Sequence, residues 1–315
     1  MNRIALLVML CLLTPLSRAN AQGIPPPTKS VVIGNMHFDR YGQGDPALIV
    51  LPSLSVNSWT WSSAIAEMSA DHAIYAANMA GFDGLPPAPP PYISQADAAV
   101  MNLIRQENLK GPVLVGHSLG GHIALRLLEE HPDIFAGAVI VDEMPYFPPL
   151  QAGQTLQQRA QNVSQLADGI ASAPDWLYEN QTRSTAATMV TDTAQAQIVA
   201  DHSLRSDRTT LAGATSEMSL EDLRPGLGKI TAPLLVVAPV SADAPYMTPQ
   251  LRALNPAQLA VTIHDYYAAQ YAGAKTATVE TIANSKHFIM LDQPAALNAA
   301  IKNFLTVVSR PPSGS

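Results

Sequence analysis

The sequence predicts an α/β protein: a mostly parallel eight-stranded sheet with helices on both faces, plus an inserted helical cap. Three observations carry that expectation. Short apolar runs alternate with longer helical patterns along the 315 residues, the signature of strands joined by crossover helices. Several runs, such as Ala-Leu-Ile-Val-Leu at 47–51 and Leu-Leu-Val-Val-Ala at 234–238, are apolar at every position, as strands buried on both faces require. The interval 144–228 breaks this rhythm: it is rich in Gln, Ala, Ser and Thr and holds no convincing strand. A structureless loop of that length is foreign to a compact domain, so a helical insertion is expected.

In chain order, strands are expected at 31–33, 37–41, 47–51, 72–78, 112–116, 136–141, 233–238 and 276–282. Helices are expected at 58–69, 95–107, 119–130, 256–272 and 294–308, with helical pieces of the insertion at 156–167 and 186–199. Pro132 and Pro233 stand where elements must break. The organisation expected is a leader over 1–21, a first core portion over 22–143, the cap over 144–228, a second core portion over 229–309 and a disordered tail over 310–315.

With 47% hydrophobic and 14% charged residues, the chain is too apolar for a disordered protein. A net charge of −7 with no basic run argues against nucleic acid as a partner. Met1-Asn2-Arg3, the apolar run Ile4 to Leu13 and Ala19-Asn20-Ala21 read as a secretory signal cleaved after Ala21. Its apolar run makes about 15 Å of helix, half of what a bilayer core needs, so no stable membrane anchor is expected. The expected location is secreted or periplasmic. The single cysteine, Cys11, lies in that leader, so the mature chain relies on its core rather than on disulfides.

The strongest local signal is Gly116-His117-Ser118-Leu119-Gly120-Gly121, between an expected strand and an expected helix. A strand that turns abruptly into a helix crowds its backbone; glycines relieve the crowding, and the serine is held strained with its oxygen exposed. The Leu119 amide then lies at a helix N-terminus, where negative charge is favoured. Serine needs a neighbouring base. Of the eight histidines, His287 alone falls in a loop between the last strand and the last helix, at the carboxyl edge of the sheet on the side of Ser118.

The elbow, the run His-Phe-Ile-Met-Leu-Asp-Gln-Pro at 287–294 and the eight-strand alternation resemble the α/β-hydrolase fold superfamily, with 144–228 as its variable cap. The resemblance implies a Ser–acid–His chain order and an acid after the strand that follows the cap. Asp243 is the carboxylate of that loop and is the acid expected; Asp142 or Glu143, after the strand 136–141, is the alternative, since some members of the superfamily place the acid there. The family's His-Gly after the third strand is replaced by Pro52-Ser53, and proline has no amide to donate. Matching the Trp61 end places Leu54 as the backbone donor that would pair with Leu119 in an oxyanion hole.

The expectation is therefore an exported serine hydrolase acting on carboxylic esters of small or medium acyl groups. Ser118 is the nucleophile, His287 the base and Asp243 the acid. Ser53, His117, Trp59, Tyr146 and Phe147 are candidate substrate-binding residues; Met144, Trp176 and Tyr178 are further candidates for the cleft. No metal-ligand motif and no phosphate loop is present, so neither metal nor cofactor is expected. A lactonase, an acyltransferase or a cofactor-free haloperoxidase would use the same triad, and a non-catalytic binding protein of the same fold is a further alternative.

Overall fold

The computed structural model describes residues 24–146, 155–244 and 247–309. The leader expected over 1–21, Phe147 and the tail 310–315 lie outside them. Eight strands form one sheet: β1 (Lys29–Ile33), β2 (Met36–Tyr41), β3 (Leu48–Leu51), β4 (Ile74–Met79), β5 (Val113–His117), β6 (Gly137–Val141), β7 (Leu234–Val240) and β8 (Ala277–Ala283). Their spatial order is β1-β2-β4-β3-β5-β6-β7-β8. β2 runs antiparallel to both β1 and β4, and from β4 to β8 every pairing is parallel.

The apolar runs do what their composition requires. Along β3, Leu48 and Val50 pack on one side of the sheet while Ile49 and Leu51 pack on the other; on β7, Leu235 and Val237 oppose Leu234, Val236 and Ala238. Both sides are dry because a strand alternates its side chains between faces. Each such Leu, Ile or Val removed from water stabilises the fold by about 1.5–3 kcal/mol.

The helices are α1 (Ser62–Met68), α2 (Tyr92–Gln106), α3 (Leu119–Glu130), α4 (Leu156–Ser172), α5 (Asp175–Met189), α6 (Thr193–Leu204), α7 (Arg208–Leu220), α8 (Pro249–Arg252), α9 (Pro256–Gln270), α10 (Ile289–Asp292) and α11 (Pro294–Val308). The stretch expected as one helix at 58–69 divides into a 3₁₀ turn, Ser58–Trp61, and α1. Core side chains of α2, α3 and α9 cover one face of the sheet, and those of α1 and α11 the other.

Helices α4 to α7 form the insertion between β6 and β7. Here the sequence reading needs correction. The piece expected at 186–199 spans a break: α5 ends at Met189, Val190 is extended and buried, and Asp192 starts α6 by accepting a hydrogen bond from the Gln195 amide at 2.8 Å. A short polar side chain that captures a free helical N–H marks a start even inside a run of good helix formers. Helix α7 begins in the same way on Asp207.

Candidate active site

Strand register assembles the site. His117, the last residue of β5, lies opposite Val141, the last residue of β6, and Val141 lies opposite Val237 on β7. Ser118 and Asp142 therefore leave the sheet at the same level from neighbouring strands. Their backbones continue the ladder by one step: the Ser118 amide donates to Val141 O (3.1 Å) and the Asp142 amide to Val237 O (2.9 Å).

Ser118 caps α3 with φ +52° and ψ −120°, a conformation that L residues rarely adopt and that recurs where strain is part of a site. The surrounding glycines make it possible. A Cβ on Gly116 would stand 2.2 Å from Gly120 O, and one on Gly120 would stand 2.5 Å from Leu51 O and 2.8 Å from Pro52 O. The first turn of α3 is thus pressed directly against the backbone of the 51–54 loop. Leu119 is the first residue of α3, so its amide belongs to the free positive end of that helix. Leu54 lies in the facing loop, half-buried against the core.

His287 follows β8. Its ring is joined to Asp142, not to Asp243: Nδ1 stands 2.6 Å from Asp142 Oδ2. A carboxylate accepts, so Nδ1 carries the hydrogen and the neutral ring keeps its lone pair on Nε2. The other oxygen of Asp142 accepts a hydrogen bond from the Tyr267 hydroxyl. Asp142 itself has φ +43°, so the loop after β6 is strained at the acid as it is at the serine.

Asp243 cannot occupy this place for a geometric reason. β7 runs on past the level of the site, from Val237 to Val240, where it pairs with Ala283 of β8. Asp243 follows still later in an exposed turn, its amide bonded to Ser241 Oγ at 3.2 Å. Glu143, the other alternative, is buried. Burial, and then the neighbouring Asp142, push its carboxyl well above the usual range.

His117 points away from any cleft. It is fully buried, its Nε2–H donates to the His287 carbonyl at 2.9 Å, and its ring lies 4.4 Å from that of His287 and 5.0 Å from that of Phe288. Burial, reinforced by the neighbouring His287, drives its pKa well below 6.5, so it is a neutral prop beneath the His287 ring. This corrects its expected role as a substrate-binding residue.

Tyr146 is also placed otherwise. Its ring is held between the guanidinium groups of Arg159 and Arg224, 3.9 and 4.0 Å from its centroid, and its backbone bridges Asp222. It is a strut at the root of the insertion. Trp59 stacks on His202 of α6 at 4.1 Å, Ser53 is buried, and Tyr178 is buried beneath Arg208. Met144 packs partly buried against the core, and Trp176 is 66% exposed.

Three positioning residues escaped the sequence reading. Tyr267 shares one face of α9 with Leu259 and Ile263, and Tyr271 follows four residues later to donate to Glu143 O at 2.8 Å. The signal available was that pair of tyrosines at helical spacing. Asp292, inside the motif that identifies His287, accepts from the Lys286 amide (2.8 Å) and from the Thr191 amide and hydroxyl (2.8 and 2.7 Å). It clamps the histidine loop to the turn between α5 and α6.

Among the described residues, no group of three or more His, Cys, Asp or Glu side chains is arranged to hold a metal ion, and no helix is long and apolar enough to cross a membrane.

The model of the alpha/beta hydrolase family matches residues 48–300, which span β3 to α11 and hold Ser118, Asp142 and His287. The chain belongs to that family. A lipase of Mycobacterium tuberculosis, LipV, is 26% identical over 162 residues, which are 50% of this chain and 56% of the lipase; the match thus spans little more than half of that relative. Two solved structures share the fold of this hydrolase-family chain. A malate-bound esterase from Thermogutta terrifontis superposes with TM-score 0.70 at 16% identity, covering 90% of this chain and 100% of the esterase. An esterase from Exiguobacterium antarcticum gives TM-score 0.67 at 16% identity, covering 86% and 95%.

Proposed function

We propose that this family member is a serine hydrolase that cleaves carboxylic esters of small or medium acyl groups, with Ser118, His287 and Asp142 as its triad. The observation that carries the reading is the 2.6 Å contact between His287 Nδ1 and Asp142 Oδ2 at the same sheet edge as a serine held at φ +52°.

In this reading Ser118 Oγ attacks the acyl carbon while His287 Nε2 takes its proton. The charge that develops on the imidazole is offset by Asp142, and the oxyanion is met by the Leu119 and Leu54 amides. His287 then protonates the leaving alcohol as the acyl-enzyme forms. Water, deprotonated by the same nitrogen, attacks the acyl-enzyme; the acid leaves, and Ser118 recovers its proton. The inserted helices favour compact substrates over polymers. The signal-like sequence over residues 1–21 supports an exported location, which N-terminal sequencing of protein recovered outside the cytoplasm would check.

Hydrolysis of p-nitrophenyl acetate and butyrate, compared between wild type and Ser118→Ala, tests the reading. Turnover that requires Ser118, with one fluorophosphonate bound per chain, is expected. Equal turnover by Ser118→Ala, or no turnover with no adduct, overturns it. Ester, lactone and acyl-acceptor panels then separate hydrolysis from lactonase or transferase chemistry.

A further inference from the structure

The loop that carries Leu54 is held from outside the core. Ser55, the next residue, has φ +65°, and Asp83, in the loop after β4, has φ +50°; neither is a glycine, so each needs its surroundings to hold that conformation. One hydroxyl group ties both. Ser206 Oγ donates to Ser55 O at 2.8 Å and accepts from the Asp83 amide at 3.0 Å. Ser206 is buried and belongs to the turn between α6 and α7, in the helical insertion.

The same turn is fastened to the core on either side of that hydroxyl. The Asp207 amide donates to Gly81 O (2.7 Å), and the Gly84 amide donates to Arg205 O (3.1 Å). Ser55 Oγ donates to Ser203 Oγ at 2.9 Å, and His202 Nδ1 lies 2.8 Å from Asp83 Oδ2. Within the core, Asn57 links the two loops again: its side chain accepts from the Met79 amide (2.9 Å) and donates to Phe82 O (3.1 Å). Three chain segments that are remote in sequence therefore meet at one buried hydroxyl, which holds the residue that follows Leu54.

We propose that Ser206 is a positioning residue for the oxyanion loop: its hydroxyl, supplied by the cap, holds the carbonyl of Ser55, two peptide units beyond the one that carries the Leu54 amide, and by fixing Ser55 at its positive φ sets the course of the loop and with it the direction of that amide. In this part of the molecule the cap is a fixed wall of the site. The Pro52-Ser53 sequence gives a physical reason for the arrangement. The loop lacks the glycine usual in this family, so the conformation of its donor peptide is enforced by an external contact instead. The inference rests on the serine-hydrolase reading above and adds the source of its oxyanion geometry.

A backbone donor matters more to the transition state than to the bound ester, and a misplacement of about 1 Å can cost on the order of 100-fold. The experiment measures kcat and KM of wild type, Ser206→Ala and Ser206→Cys on p-nitrophenyl acetate, per active site titrated with a fluorophosphonate, with Ser118→Ala assayed per mole of protein as the control. Ser206→Ala is expected to lower kcat about 10- to 100-fold with KM within about twofold. Ser206→Cys, close in volume and a weaker hydrogen-bonding group, should fall between it and wild type. Counting per titrated site removes any loss of folded protein, and Ser206→Cys keeps the test available if the alanine variant does not fold. Wild-type kcat in both variants, or a loss confined to KM, overturns the proposal while leaving the Ser118 reading intact. Turnover independent of Ser118 removes the reading on which it rests.

Discussion

His287 Nδ1 and Asp142 Oδ2 stand 2.6 Å apart, and the two residues follow strands that have β7 between them. Asp142 leaves β6, near the middle of the strand order, and His287 follows β8, at its edge. Asp142→Asn should leave the fold intact but favour the wrong imidazole tautomer, lowering kcat by about 10³- to 10⁴-fold. Asp243→Asn, in its exposed turn, should stay within about twofold of wild type in esterase assays. The reverse ranking would restore Asp243 as the acid.

Tyr267 donates to the second oxygen of Asp142. A hydrogen bond to a charged group contributes about 1.5–3 kcal/mol, and here part of it acts on the orientation of the acid. Tyr267→Phe should reduce kcat by about 10-fold with little change in KM. In the Asp142→Asn background the same substitution should have almost no effect on kcat, because two residues that act through one contact are not additive. Full additivity in that double-mutant cycle would refute the coupling.

Gly120 and Gly169 both lie in helices, where alanine normally stabilises by about 0.5–1 kcal/mol. A Cβ on Gly169 meets nothing within 4 Å, whereas one on Gly120 meets Leu51 O at 2.5 Å. Gly169→Ala should therefore raise the denaturation midpoint. Gly120→Ala should destabilise by about 1–3 kcal/mol, the usual cost of overpacking, and abolish esterase turnover by displacing the 51–54 loop. Urea titrations of the two variants compare them directly.

Asp97 is buried on α2, with Arg126 Nε 2.8 Å from Oδ2. Burial raises its pKa from 3.8 to about 6 against the pull of Arg126. An acid with a raised folded pKa binds its proton more tightly in the native state. Its contribution is thus fully present below about pH 4 and lost as pH rises through about 6. Asp97→Asn, which mimics the protonated form, should gain on wild type by about 2 kcal/mol between pH 4 and pH 7.5. Chemical denaturation at the two pH values checks the sign; a constant difference would refute the linkage.

Local features were legible from local sequence. The elbow at 116–121 and the histidine loop at 285–288 are set by neighbours in the chain: a strand before, a helix after, glycines where backbone crowds. Apolar runs marked the central strands β3, β5, β6 and β7, because burial on both faces leaves little choice of residue. The helical insertion was legible as a departure from that pattern, but its internal breaks at Val190–Asp192 and Arg205–Asp207 were not. These depend on which N–H groups an aspartate captures once the helices are packed.

What the sequence determined by itself was the fold and two members of the candidate site, Ser118 and His287, each defined within a few residues of chain. Tertiary structure decided the partner of the histidine. β6 ends level with β5, whereas β7 continues to Val240, so the carboxylate that reaches His287 is the one after the shorter strand. It also decided that His117 supports the base from beneath and that Ser206, far along the chain, reaches the loop after β3. Hydrogen bonds act over about 3 Å in space and are indifferent to sequence separation; strand length and register, and the docking of the inserted helices on the core, determine which distant residues come within that reach.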